Sequence, residues 1–224
     1  MNQPSLISMF AEETRNRLSA AGVVPVVVIN DAANAVPLAK ALLAGGVKVI
    51  ELTLRTAAGL DAIKAIASEV PEMLVGAGTV LSTEQVRAVK AAGAAFAVAP
   101  GTNRMILAAA QEVDLPFAPG VMTPSDIETA LSMGCRMLKF FPAESAGGVT
   151  HLKAMSAPYA HLGVKFMPTG GIKAAQLADY LAVSTVAAVG GSWLATGPQI
   201  DAGDWAAITA QAAAAMAIVN ASRG

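Results

Sequence analysis

The sequence predicts an α/β fold, a single (βα)8 barrel of the TIM type with an additional N-terminal helix, and three observations predict it. Eight short runs rich in β-branched and apolar residues recur along the chain, each followed by a stretch that reads as helix. Their centres lie roughly 20–28 residues apart, the length of one strand, one helix and two short loops. The alternation continues from end to end with no linker or low-complexity break. Residues 1–224 are therefore read as one domain, with a helix over 1–20, barrel elements over 23–194 and a C-terminal helix over 203–222.

The runs are VVPVVVI (23–29), KVIELTL (48–54), LVGAGTV (74–80), FAVAPG (96–101), PFAPGV (116–121), MLKFFPA (137–143), KFMPTGG (165–171) and TVAAVGG (185–191). Helix starts follow several of them. Ser82 with Gln85 three residues on is a capping-box pattern, and Thr123 before Pro124 offers an N-cap with proline at the first helical position. Gly45-Gly46, Gly93 and Gly134 stand just before the next run, where a helix C-terminus favours positive φ. The competing architecture, an open doubly wound sheet, would carry a glycine-rich dinucleotide turn after its first strand, and that position holds Ile29-Asn30-Asp31.

Bulk composition narrows the function classes. Of 224 residues, 54% are hydrophobic and 14% charged, with mean hydropathy +0.55, enough apolar surface for a large core and too much for disorder. Pro, Gly, Lys or Asn interrupts the apolar stretches before the ~18 residues a membrane span needs. The N-terminus, MNQPSLISMFAEETRNRLSA, lacks a basic segment followed by an apolar one and a cleavage site, so a cytoplasmic location is expected. A single cysteine, Cys135, excludes an internal disulfide, and with two histidines it makes a zinc cluster a poor expectation, so no metal is assigned. Fifteen basic against sixteen acidic residues, with no basic run, argue against nucleic acid as a partner.

Two runs contain residues that a buried parallel strand does not ordinarily tolerate. In the second, period-two alternation puts Glu51, Thr53 and Arg55 on one face and Ile50, Leu52 and Leu54 on the other, so the polar face must look into the barrel. In the sixth, Lys139 is the only charge, and of eight lysines it alone falls within an apolar strand. Burying an ammonium is costly, and the usual escape is the neutral amine, which attacks carbonyl carbon. That chemistry points to a Schiff-base nucleophile. A Lys and a Glu inside a barrel also suit a plain structural ion pair, and Arg55 at a strand end reads equally as a surface charge or a carboxylate fork.

The last two runs end in glycine pairs, Gly170-Gly171 and Gly190-Gly191, the second followed by Ser192. Barrels of this class bind phosphate between the loops after strands seven and eight, so a phosphate site is expected there. Pro100-Gly101 and Pro119-Gly120 read first as turns. His151 and His161 read as surface or packing residues, and Cys135 as structural.

Taken in order, IELTLRT, VGAGTV, LKFFPAE, MPTGGI and VGGSWL resemble the 2-keto-3-deoxy-6-phosphogluconate (KDPG) and 2-keto-4-hydroxyglutarate (KHG) aldolase family, over about Val23 to Leu194. The resemblance implies a class I aldolase, a lyase without cofactor or metal, that splits KDPG into pyruvate and D-glyceraldehyde 3-phosphate in the Entner–Doudoroff route. It further implies a homotrimer. On the matching positions, Lys139 is the Schiff-base lysine and Glu51 the proton shuttle. Arg55 and Thr79 hold the pyruvate carboxylate, Pro100 and Phe141 line the pocket, Thr169, Gly170 and Gly171 form the substrate loop, and Gly190, Gly191 and Ser192 the phosphate cup. Val24-Pro25-Val26 and Thr169 differ from the pattern of relatives acting on the galactonate epimer, which favours the gluconate epimer. The alternatives are a KHG aldolase without a phosphate requirement, an epimer-specific phosphogalactonate aldolase, from another class a phosphosugar isomerase or epimerase using Glu51 as base with no covalent step, and a catalytically silent phosphate-binding barrel.

Overall fold

The structure, a computed structural model, describes residues 10 and 12–223. Its strands are β1 (Val23–Val27), β2 (Val49–Thr53), β3 (Leu74–Gly78), β4 (Phe96–Val98), β5 (Phe117–Ala118), β6 (Gly120–Val121), β7 (Met137–Phe140), β8 (Lys165–Pro168) and β9 (Val189–Gly191). Its helices are α1 (Glu12–Ala21), α2 (Ala35–Ala44), α3 (Gly59–Glu69), α4 (Thr83–Ala91), α5 (Arg104–Glu112), α6 (Pro124–Ser132), α7 (Gly148–Ser156), α8 (Leu177–Leu181), α9 (Gly197–Asp201) and α10 (Trp205–Arg223). Every strand falls inside one of the eight predicted runs. The N-terminal helix expected over residues 1–20 is described from Glu12 onward, and the remainder of that expectation lies outside the described residues.

All strand pairs are parallel, but the ladder is not the unbroken eight-stranded ring that the sequence predicts. Six strands pair in the order β5-β4-β3-β2-β1-β9 and three in the order β6-β7-β8. The break lies within the fifth run, at Pro119. Ala118 pairs with Val98 on one side and Gly120 with Lys139 on the other, while Pro119, which has no N–H to donate, accepts from the Lys139 amide at 2.8 Å. On the far side, β8 and the eighth run meet through two isolated parallel bridges, Phe166 with Val186 and Thr169 with Gly190.

The helix signals act as their chemistry requires. Thr123 and Asp126 cap α6 reciprocally with Pro124 in its first turn, and the Ser82 hydroxyl accepts from the Gln85 amide at 3.2 Å. The Gln85 side chain returns one residue earlier than expected, accepting from Leu81 N–H at 2.6 Å. Gly46, Gly93 and Gly134 adopt positive φ after α2, α4 and α6.

Alternation along the strands separates two apolar cores. Outward residues such as Ile50, Leu52, Val75 and Leu138 join the helices in one cluster. Inward residues Val24, Val49, Leu74, Phe96, Met137 and Met167 form a second, into which Leu18 of α1 is packed. Gly76 leaves the space that the Phe96 ring fills, since a Cβ there would lie 2.2 Å from it. On β2 and β7 the inner cluster holds Val49 and Met137, one alternation step before Glu51 and Lys139, so apolar packing supports the pair from that side.

One helix departs from the reading that no segment is long and apolar enough to span a membrane. By length and composition alone α10 qualifies. Its apolarity is largely alanine, and Ile208, Ala212, Ala215 and Val219 are buried in the outer core, where the helix packs on α2 and α8.

Candidate active site

Glu51 and Lys139 come from strands that are not neighbours, β2 and β7, and meet inside the structure. Lys139 Nζ lies 2.9 Å from Glu51 Oε1, with side chains 6% and 0% exposed. A pair so dry is stabilised only if its geometry is good, because each charge has given up its hydration. One oxygen is satisfied and the other is not: Glu51 Oε2 is buried and meets no hydrogen-bond partner among the described residues. A buried carboxylate oxygen without a partner is costly for folding alone, and such a group is expected where a proton must later be taken up.

Gly78 makes this arrangement possible. A Cβ at that position would stand 2.2 Å from Glu51 Oε1 and 2.8 Å from its Cγ, so any other residue would occupy the carboxylate's place. Thr53, next on the inner face of β2, is buried and donates to Val27 O at 3.0 Å, tying β2 to β1 directly beyond the pair.

The other expected residues sit around the strand ends to differing effect. Phe141, directly after β7, places its ring centroid 5.7 Å from Lys139 Nζ. With Pro100, Gly101, Gly120, Val121 and Pro142 it lines a cleft of about 280 Å³. Thr79 follows β3 with φ +58°, a left-handed conformation uncommon for a β-branched residue and costing about 1–3 kcal/mol where it occurs. Arg55 lies in an exposed turn past the end of β2, so the expected alternation stops at Thr53. The side chains of Arg55, Thr79 and Ser192 hydrogen-bond to no other described residue. A second cavity of about 280 Å³, bordered by Arg17, Lys48 and Met216, lies at the entry side of β2 and away from the pair.

Both glycine pairs are structural necessities. Gly170 and Gly171 have φ of +105° and +79°, and the Gly171 amide donates to no acceptor among the described residues, leaving an N–H group for an anion. Gly190 is there for contact: a Cβ would fall 2.2 Å from Thr169 Oγ1, so its absence lets the ends of β8 and β9 close on each other. Gly191 lies beneath the Trp193 ring, where a Cβ would be 2.0 Å away. Ser192 is exposed at the start of a 3-10 turn.

Sequence reasoning missed Gly78 and a polar cluster around Glu144. Glu144 Oε1 accepts from Tyr180 Oη at 2.5 Å and Oε2 from Gln176 Nε2 at 2.6 Å. Burial first, then the hydrogen bond and charge of Glu144, push the Tyr180 phenol up, which keeps it a donor. Both residues were within motifs already singled out, VGAGTV and LKFFPAE, but their contacts join distant segments. His151 stacks on Phe140 with centroids 5.9 Å apart, as a packing residue does. Cys135 is fully buried, and burial pushes its thiol up to about 12. Among the described residues no group of three His, Cys, Asp or Glu side chains is placed to hold a metal ion.

A parallel α/β frame that brings one buried lysine against one buried glutamate is the arrangement a Schiff-base enzyme needs. The sequence model described as KDPG and KHG aldolase matches residues 14–211. The 2-dehydro-3-deoxy-phosphogluconate aldolase of Dickeya dadantii is 49% identical over 200 residues, 89% of this chain and 93% of that one. The crystal structure of KDPG aldolase from Legionella pneumophila, with pyruvate captured as a covalent carbinolamine, superposes with TM-score 0.85 at 42% identity, covering 89% of this chain and 96% of that one. The Zymomonas mobilis KDPG aldolase with 3-phosphoglycerate gives TM-score 0.85 at 40% identity over 93% and 97%. The chain belongs to the KDPG and KHG aldolase family, and it is a lyase.

Proposed function

We propose that the chain is a class I aldolase that cleaves KDPG to pyruvate and D-glyceraldehyde 3-phosphate, with Lys139 as nucleophile and Glu51 as proton shuttle. The observation that carries the reading is the buried pair at 2.9 Å with one carboxylate oxygen unpartnered. Lys139 passes a proton to Glu51 and its free amine adds to the C2 ketone, giving a carbinolamine; Glu51 returns that proton to the carbinolamine hydroxyl, which leaves as water, so that an iminium forms and Glu51 is again a carboxylate. The iminium accepts the C3–C4 bonding pair while Glu51 takes the C4 hydroxyl proton, releasing the aldehyde and leaving an enamine. Glu51 returns a proton to C3, and water frees pyruvate from Lys139. No step needs an oxidant or reductant.

Arg55 and Thr79 hold the substrate carboxylate, Pro100 and Phe141 the chain, and Thr169, Gly170, Gly171, Gly190, Gly191 and Ser192 the phosphate. The free amide of Gly171 supports the last assignment, and it favours the phosphorylated substrate over KHG. Thr169 and Val24-Pro25-Val26 favour the gluconate epimer. The two sheets are taken as arcs of one (βα)8 barrel, supported by the bridges at Phe166 and Thr169 and by the shared fifth run. A cytoplasmic homotrimer serving the Entner–Doudoroff route is the expected setting. Exposed Leu81, Met105 and Met122, from three successive loop-and-helix units, support self-association, which light scattering would measure.

Incubation with pyruvate and borohydride should add one reduced pyruvyl group to the Lys139 peptide, and an unmodified peptide would remove Lys139 from its role. Glu51→Gln should still trap pyruvate yet lose about 10²–10⁴ in turnover. Full activity in that variant would dismiss the shuttle.

A further inference from the structure

We infer that Glu144 is a positioning residue, which with Tyr180 and Gln176 clamps the glycine loop after β8 to the segment leaving β7, and so sets the enzyme's preference for phosphorylated aldehydes. The inference rests on the reading that the 169–171 and 190–192 loops hold the phosphate.

Two consecutive glycines at positive φ form a soft hinge unless something holds them. The holding groups come from the residues just past Lys139. Ala143 N–H donates to Thr169 O at 2.8 Å and Glu144 N–H to Gly170 O at 3.0 Å, so the two segments run together by backbone alone for one turn. Beyond that the side chain of Glu144 takes over. Its Cβ packs against Gly171, where an added Cβ would stand 2.9 Å away. Its carboxylate spans from Tyr180 on α8 to Gln176, and Gln176 Oε1 accepts from Lys173 N–H at 2.9 Å. The chain of contacts thus grips the loop on both sides, at Gly170-Gly171 and at Lys173.

The chemistry of the clamp is unusual in being charged without a counter-ion. No Lys, Arg or His among the described residues lies in ion-pair range of Glu144, and both oxygens instead accept short bonds from neutral donors. Hydrogen bonds to a half-buried carboxylate are stronger than neutral ones and fix direction, which suits a part whose task is to aim the loop's backbone. Glu144 lies outside the cleft-lining set and reaches the reacting atoms only through the loop, so it does not take part in bond making.

The test compares condensation of pyruvate with D-glyceraldehyde 3-phosphate against unphosphorylated D-glyceraldehyde. In Glu144→Gln the Tyr180 bond can persist while Gln176 Nε2 meets an amide donor. We expect kcat/KM for the phosphorylated aldehyde to fall about ten- to a hundredfold, chiefly through KM. The unphosphorylated aldehyde and borohydride trapping of pyruvate should change less than about twofold. The swapped pair Glu144→Gln with Gln176→Glu restores both hydrogen bonds, the one between 144 and 176 now donated from residue 144, and should recover most of the phosphate-selective loss in KM. If Glu144→Gln does not fold, Tyr180→Phe, which removes one donor alone, gives the same comparison. Equal loss on both aldehydes, or wild-type constants, overturns the clamp. Ser192→Ala separates the two readings: without a phosphate-selective loss there, the phosphate site itself is wrong. With one there and none at Glu144, only the clamp is.

Discussion

Replacing Gly78 by alanine should damage catalysis through Glu51 while leaving the fold in place. The added Cβ would lie 2.2, 2.8 and 2.9 Å from Glu51 Oε1, Cγ and Cδ, about 1.2 Å short of ordinary contact at the nearest atom. Glu51 is wholly buried, so it cannot swing into solvent, and the 2.9 Å bond to Lys139 must lengthen or turn. Displacing a catalytic group by about 1 Å costs on the order of 10² in rate, and losing its proton transfer altogether 10²–10⁴. Overpacking costs about 1–3 kcal/mol of stability, which in a domain of this size lowers Tm by roughly 2–4 °C per kcal/mol. The assay is steady-state cleavage with a coupled pyruvate readout, run beside thermal unfolding on G78A, E51Q and the double variant. If the glycine acts only by making room for Glu51, the double variant turns over no slower than E51Q. Wild-type turnover in G78A, or full additivity of the two losses, would show that Gly78 does not act through Glu51.

Two further predictions concern stability. Lys139→Met leaves the Glu51 carboxylate buried and unpaired, and should lower stability by about 3–5 kcal/mol, whereas Lys139→Met with Glu51→Leu should recover most of that Tm without any activity. A double variant no more stable than the single one would mean that the pair is not what is being broken. Cys135 should resist thiol reagents at pH 8 until the chain unfolds. Because burial holds its thiol up to about 12 while the unfolded chain releases the proton near the ordinary value of 9.0, the unfolded state binds fewer protons between those limits. Stability should therefore decline as pH rises through that window, by up to about 1.4 kcal/mol per unit, and Cys135→Ala should flatten the slope.

The strands were legible because their signal is local. Each of the eight runs contains its strand, and the inward and outward residues of β2 divide into the two cores as alternation requires, Val49 inside and Ile50 and Leu52 outside. What the pattern does not carry is pairing. The run PFAPGV reads as one strand by composition, yet its proline withholds one N–H, so the residues before it pair with β4 and those after it with β7. Alanine misleads in the same way at α10: hydropathy counts it as apolar, but it buries little area, and only one face of that helix enters the core.

The site divides along the same line. Lys139 and Glu51 stand out in sequence because a charge inside a strand demands a reason, and the structure supplies it by bringing them together across 88 positions. Arg55 stands out by the same rule and yet comes to rest in an exposed turn, since the strand ends two residues earlier than its alternation suggests. Glycine offers no such mark. Gly78, Gly170 and Gly190 look alike on the page, yet one makes room for a carboxylate, one takes a backbone angle that side chains avoid, and one admits a threonine from the next strand. Only the distance from an imagined Cβ to its neighbour tells them apart. Glu144 is the opposite case, a charged residue whose place beside a turn reads as solvated surface until Tyr180, 36 positions on, is seen to donate to it. Residues proposed to bear the reaction are thus visible through the cost of burying them, whereas those that would position them are visible only through what they touch. A search for determinants of substrate choice in this family should therefore begin from contacts between strand-end loops, such as the Glu144–Tyr180–Gln176 cluster of this chain.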